Sequence, residues 1–326
     1  MWKIVKPRKT HKPFHGSTFR RIINKNGYRY MQKTKLPIFI VAIIVASFSI
    51  ASCNSQAKKT TPAETAIDAD TIPVDDDQYV RIETSEGDII VHLFRDTPRH
   101  RHNFVKLARK GYYDNQLFYR IVNNSLIQAG DPNSKNATPE TTLGTGDVDY
   151  TLEPELYPER HINHRGAVGM ASYKPLYESS GGQFYIVTGM KQSDVRLANA
   201  ETHLNKKRRE MVFDSITKQP SYQAQLREMN KKGDKRGMWR VKEEIKEQTN
   251  AIMESRTPFA YSKEQKKIYQ TIGGEATLDG LYTVFGEVIE GDSVLTKIEK
   301  RAVNADRRPY DNVVIKHITE IPAPTR

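Results

Sequence analysis

A single cysteine, Cys53, among 326 residues excludes an internal disulfide framework and a CxxC-type zinc site. No apolar run is long enough to cross a bilayer comfortably: the longest, Leu36 to Ala51, stops at about 16 residues where a spanning helix needs ~20. Acidic residues are missing from residues 1–52, which hold 11 of the 51 Lys+Arg, and the remaining chain carries 40 basic against 39 acidic residues. The formal charge of +12 therefore belongs to the N-terminal segment, and the case for a nucleic-acid partner disappears with it. Aromatic residues are absent from residues 54–78, which also carry few aliphatics and the acidic run Asp75 to Asp77, so this stretch cannot bury enough apolar surface to order itself.

What is present at the N-terminus reads as an export signal. Lys33 and Lys35 precede the uncharged LPIFIVAIIVASFSIA, which predicts a signal peptide over residues 1–52, and a start at Met31 gives it a conventional short basic region. Ile50-Ala51-Ser52-Cys53 resembles the lipobox of bacterial lipoproteins, which implies acylation of Cys53 and a lipidated tether over residues 53–78. An uncleaved anchor helix is the alternative; on either reading the rest of the chain is exported and held at a membrane. Acyl chains contribute about 0.8 kcal/mol per buried methylene, so several of them anchor durably. With Asn54 rather than Asp after the cysteine, the resemblance implies the outer membrane, facing the periplasm.

Order is expected from Tyr79. Val80, Ile82 and Thr84 alternate with Arg81 and Glu83, and Glu86-Gly87-Asp88 turns the chain into Ile89 to Phe94, a β-hairpin. Thr97-Pro98 opens a helix in which Phe104, Leu107 and Ala108 share a face and Gly111 ends it. Further strands are predicted at Leu117 to Val122, Leu126 to Gln128, Ala167 to Ala171, Gln183 to Thr188, Tyr282 to Val288 and Val313 to Ile318. Many short strands with one early helix predict a mainly β, closed or nearly closed barrel. Residues 190–272 differ in texture, with 19 Lys+Arg against 11 Asp+Glu, and predict an α-helical insertion. Its helices are expected near Ser193 to Ile216, near Tyr222 to Glu254 with weak points at Gly233 and Gly237, and from Lys263, where Ser262 and Gln265 form a capping box. The run Lys206 to Arg209 is read as a solvated helix face.

Four segments carry the chemistry: FYRIVNNSLIQAGD (Phe118 to Asp131), GAVGMAS (Gly166 to Ser172), GGQFYIVTG (Gly181 to Gly189) and LDGLYTVFGEVIEG (Leu278 to Gly291). Strand periodicity places Leu126 with Gln128, and Gln183 with Tyr185, on common faces, so each strand offers one apolar wall and one amide. In this order the segments resemble the cyclophilin family of peptidyl-prolyl isomerases. The resemblance implies a cyclophilin-like closed antiparallel β-barrel with flanking helices, over residues 79–189 and 273–321. It implies Arg120 as the principal catalytic residue, Gln128 and Gln183 as ligands of the peptide backbone, and Leu126, Tyr185 and Leu278 as the apolar wall of a proline pocket, with Phe184 and Phe285 turned into the core. It also implies cofactor-independent action on unfolded or newly exported proline-containing proteins.

The pocket departs from the family pattern. Ser125 stands where a phenylalanine is usual, Ser172 where asparagine is, Thr277 where a tryptophan is common and Tyr282 where histidine is common. These departures make a non-catalytic peptide-binding chaperone the competing reading. The insertion leaves the barrel after Tyr185 and returns before Leu278, so it emerges beside the pocket, to cover it, extend it, or bind a client or an envelope partner. His100, His102, His161 and His164 complete no recognisable metal spacing, and no metal is expected.

Overall fold

The computed structural model describes residues 78–324; the expected signal peptide, Cys53 and nearly all of the expected tether lie outside these residues. The alternation at the start gives β1 (Gln78–Thr84) and β2 (Gly87–Leu93), antiparallel from Gln78↔Leu93 to Thr84↔Gly87. Val80 opposite Val91 and Ile82 opposite Ile89 face inward and are fully buried, while Arg81 stays in solvent. Helix α1 (Pro98–Arg109) follows. Thr97 stands at its N-cap position, yet its hydroxyl donates back to the Phe94 carbonyl (3.2 Å) and caps nothing.

The chain continues through β3 (Gln116–Leu117), β4 (Arg120–Val122), β5 (Leu126–Ala129), β6 (Thr151–Leu152), β7 (Ala167–Met170), β8 (Ser179–Ser180) and β9 (Phe184–Val187). After four helices come a single-turn 3-10 helix (Ala276–Leu278), β10 (Val284–Glu290), helix α6 (Asp292–Glu299) and β11 (Val314–Ile321). The run Leu117 to Val122, expected as one strand, splits in two. Phe118 N–H turns to the Val313 carbonyl (2.9 Å), and Arg120 opens a new pairing with Gln128.

Nine strands form one antiparallel sheet in the order β3-β11-β1-β2-β10-β7-β9-β5-β4, and β6 pairs with β8 in a small ribbon. The expected closed barrel is not completed by strand pairing. The sheet's two edge strands are separated by only Phe118 and Tyr119 in sequence but do not pair with each other, and Ile121 N–H on the β4 edge donates to the Arg307 carbonyl (2.8 Å). A loop thus covers the edge that a barrel would have closed. The sheet's concave face holds the main core, where Phe104 of α1, Phe184, Phe285 and Ile298 of α6 are all fully buried. Each such side chain contributes roughly 1.5–3 kcal/mol relative to exposure.

The helices between β9 and β10 are α2 (Asp194–Thr217), α3 (Pro220–Lys232), α4 (Lys235–Glu254) and α5 (Lys263–Thr271). The helix expected from Tyr222 to Glu254 breaks at Gly233, which takes a left-handed conformation that favours glycine, and Asp234 then caps α4 by accepting from Gly237 N–H (2.8 Å). The capping box at Ser262 and Gln265 is formed. A small core of Ile216, Tyr222, Val241 and Ile245 holds α2, α3 and α4 together, whereas Leu197, Leu204, Phe259, Tyr261 and Tyr269 pack against Ile162 and Leu281 of the sheet domain. Attachment is mainly apolar. In the basic run, Arg208 reaches Glu159 of the sheet domain (3.1 Å), Lys207 pairs with Glu210 (2.6 Å) and Arg209 bonds to Asn250. Where the chain leaves for the helices and returns, Gly189 lies against Gly274; a Cβ on Gly189 would overlap the Gly274 backbone.

Candidate active site

The β4–β5 hairpin sets the site's polar half. Its register places Arg120 opposite Gln128, and an Arg120 Nη1 proton is donated to Gln128 Oε1 (3.1 Å). Tyr119, between the buried Phe118 and Arg120, turns its hydroxyl inward. That hydroxyl accepts from Gln128 Nε2 (2.5 Å) and donates to Gln183 Oε1 (2.6 Å), so one phenol joins the two glutamines. Burial pushes the Tyr119 pKa well up and keeps it a donor. Gln183, 2% exposed, donates from Nε2 to the Gly146 carbonyl (2.5 Å) and to Tyr173 Oη (3.0 Å). Both ends of its amide are engaged, so it meets an incoming backbone only by exchanging these partners. Arg120 and Gln128 face a cleft of about 450 Å³ that is also lined by Thr141, Gly144 and Asn304.

The apolar half is built on β5 and β9, where Leu126 pairs with Val187 and Gln128 with Tyr185. Leu126, Tyr185, Val187 and Val284 are buried in one cluster, and Leu278, Tyr282, Phe94 and Val122 pack against it while keeping some exposure. The three wall residues named from sequence, Leu126, Tyr185 and Leu278, therefore meet, and Tyr282, named as a departure from the family pattern, joins them. Gly169 makes room for the Tyr185 ring, because a Cβ there would overlap it. Tyr282 stands edge-on to Tyr185 with ring centroids 6.0 Å apart. Burial raises the Tyr282 pKa and the Arg120 charge pulls it the other way. Phe184 and Phe285 point into the core, as expected.

The departures have structural partners. Ser172 Oγ donates to the Glu178 carbonyl (2.5 Å) and accepts from Lys174 N–H (2.9 Å), holding its own loop. Ser125 Oγ donates to Glu275 Oε2 (2.9 Å), and Thr277 Oγ1 donates to Glu275 Oε1 (2.6 Å).

Behind the wall lies a buried polar network. Tyr185 Oη donates to Asn163 Oδ1 (2.7 Å), and Asn163 donates to Asp279 Oδ1 from both its backbone N–H (2.6 Å) and Nδ2 (2.9 Å). Asp279 Oδ2 accepts from Tyr261 (2.6 Å) and from Tyr269 of α5 (2.6 Å). Burial pushes the Asp279 pKa up, against the pull of these four hydrogen bonds. The histidines are occupied separately: His100 Nδ1 with Glu155 (2.6 Å), His161 Nε2 with Asp96 (2.7 Å), and His164 donating from Nδ1 to the Arg165 carbonyl (2.7 Å).

Sequence reasoning reached Arg120, Gln128 and the wall but missed Tyr119, Asn163, Asp279 and Glu275. For Tyr119 a signal existed: a tyrosine at a buried position needs a partner for its hydroxyl. The others converge from distant segments and leave no local trace.

The family model described as cyclophilin type peptidyl-prolyl cis-trans isomerase/CLD matches residues 79–250 and 265–320. A protein of Staphylococcus haemolyticus, provisionally named a peptidyl-prolyl cis-trans isomerase, is 27% identical over 246 residues, which is 75% of this chain and 91% of that protein. The peptidyl-prolyl cis-trans isomerase CYP18-2 of Arabidopsis thaliana is 36% identical over 108 residues, 33% of this chain and 62% of that protein. A solved Cryptosporidium parvum cyclophilin type peptidyl-prolyl cis-trans isomerase aligns with a TM-score of 0.46 at 22% identity, over 76% of this chain and all of that one.

Proposed function

Since the chain belongs to the cyclophilin-type peptidyl-prolyl cis-trans isomerase family, we propose that it isomerises Xaa-Pro bonds of exported proteins at the cell envelope, with Arg120 as the catalytic residue. Isomerisation must overcome a barrier of ~18–20 kcal/mol because amide resonance is lost as the bond twists. No covalent bond is made or cleaved, so a catalyst need only favour the twisted amide. The single observation that carries the reading is the juxtaposition of an anchored guanidinium with an apolar wall. Arg120 is held by Gln128, and the ladder sets Gln128 between Arg120 on one side and Tyr185 of the wall on the other.

A prolyl ring resting on Leu126, Tyr185, Leu278 and Tyr282 brings its nitrogen toward Arg120. The guanidinium then donates to the lone pair that appears as resonance fades, and it stays charged at any physiological pH. Gln128 orients the guanidinium, Tyr119 and Gln183 orient Gln128, and no proton changes owner.

The envelope assignment rests on the apolar run ending at Cys53, and the helical residues 190–272 offer a surface for a client or an envelope partner. A protein whose refolding is limited by proline isomerisation tests the folding role. The full chain is expected to speed the slow phase and Arg120→Ala to leave it near the uncatalysed rate; equal acceleration by both removes the role given to Arg120. The small residues Ser125, Ser172 and Thr277, each tied up in its own hydrogen bond, favour the alternative, a peptide-binding chaperone without turnover. That reading predicts suppression of client aggregation that survives Arg120→Ala.

A further inference from the structure

Glu275 occupies an unusual place beside the apolar wall. Ser125 is the residue before Leu126, Thr277 is the residue before Leu278, and both leucines belong to the wall. The two hydroxyls converge on one carboxylate, one per oxygen, at 2.9 and 2.6 Å. The backbone is equally fixed: Glu275 N–H donates to the Asn163 carbonyl (2.8 Å), and the Glu275 carbonyl accepts from Leu278 N–H (3.0 Å). A carboxylate offers about four acceptor sites, so two remain open after the hydroxyls are counted. Glu275 is half-buried, and among the described residues no lysine, arginine or histidine pairs with it.

An oriented anion with spare acceptor capacity at the rim of an apolar pocket is suited to a cation. Ser125 and Thr277 stand where the family commonly carries large side chains, so two small donors and a negative charge replace that volume. We propose that Glu275, held by Ser125 and Thr277, is a subsite for a lysine or arginine side chain flanking the substrate proline. This rests on the isomerase reading of the neighbouring pocket and adds a sequence preference to it. Gln128 and Arg120 lie two residues further along the β5 face from Leu126 and across the ladder, leaving the Ser125 side of the pocket for the flanking residue.

The test uses the full chain with short peptides that carry lysine, norleucine or glutamate at each position next to proline. For a half-exposed pair, lysine is expected to exceed norleucine in kcat/KM by about three- to fivefold at low salt, at one of the two positions. Glutamate falls below norleucine. Glu275→Gln retains acceptor and donor capacity toward both hydroxyls, and in it the lysine-to-norleucine ratio falls to near one. High salt erases the same ratio in the unaltered protein, a readout that needs no variant to fold. A ratio unchanged by both salt and Glu275→Gln overturns the subsite. If the unaltered protein isomerises none of the peptides, the isomerase reading alone has failed, and peptide binding followed by NMR takes over. Tighter binding of the lysine peptide that Glu275→Gln abolishes then supports the subsite, and equal binding overturns it.

Discussion

Arg120 is a surface-edge arginine made specific by what holds it. Its bond to Gln128 and the bonds of Gln128 to Tyr119 and Gln183 form a chain in which each amide has a defined orientation. Tyr119→Phe removes one link but leaves Gln128 Nε2 on Gln183 Oε1 (3.1 Å), so kcat/KM is expected to fall only about fivefold, in keeping with one hydrogen bond of ~1 kcal/mol. A peptide assay of the variant checks this, and a loss as large as that of Arg120→Ala would mean that the phenol touches substrate. The pH profile follows from the same groups. Burial raises the Tyr119 pKa, and the amides of Gln128 and Gln183 carry no ionisable proton. The rate of isomerisation is expected to be flat from about pH 6 to 9.

Elements position these residues through pairs that the sequence shows only partly. The hairpin of β1 and β2, the helix opened by Pro98 and the strands carrying Leu126, Gln128 and Tyr185 were readable from period-two alternation and turn residues. Helix α6 was not read, although Val294, Leu295 and Ile298 have helical spacing, because its eight residues carry that spacing for only about two turns. The Asp279 network had no local signal, since its partners lie 10 to 116 residues away. Asp279→Ala leaves three interior donors, Tyr269 Oη and Asn163 N–H and Nδ2, without an acceptor, while Tyr261 Oη keeps the Ala276 carbonyl (3.1 Å), and a loss of about 3 kcal/mol in urea unfolding is expected. A loss under ~0.5 kcal/mol would show that the network is incidental.

A second pair links β10 to the segment before β7. His164 Nε2 lies 3.4 Å from Glu287 Oε2. Burial lowers the His164 pKa, but the Glu287 and Arg165 contacts outweigh it and the net shift is upward; the His164 bond lowers that of Glu287. The histidine's contribution is complete below its ordinary value of 6.5 and fades as pH rises through its raised value. The glutamate's is complete above 4.5 and fades as pH falls through its lowered value. The pair therefore contributes most between those two pH values, and the urea midpoint of the protein minus that of Glu287→Gln should be largest there. A difference that does not vary with pH would remove the pair from the account.

At the scale of the molecule, the sheet domain and the helices of residues 194–271 share one buried acid. Tyr261 and Tyr269 complete Asp279, which is joined through Asn163 to Tyr185 of the apolar wall. Replacing residues 193–271 by a short linker is geometrically simple because Gly189 and Gly274 are in contact, yet it strips two donors from Asp279. The shortened protein should unfold at lower urea than one that also carries Asp279→Asn. At the other end of the chain, Cys53→Ala is expected to move the protein from the membrane fraction to the soluble fraction of the envelope; an unchanged distribution contradicts the lipid anchor. The central claim is that an arginine beside an apolar wall lowers the barrier to rotation about a prolyl bond. Its most direct test is the isomerisation rate of a short Xaa-Pro peptide with the full chain and with Arg120→Ala. The account predicts acceleration by the first and a loss of about 100-fold in kcat/KM in the second, which keeps its fold. Equal rates from the two proteins would contradict it.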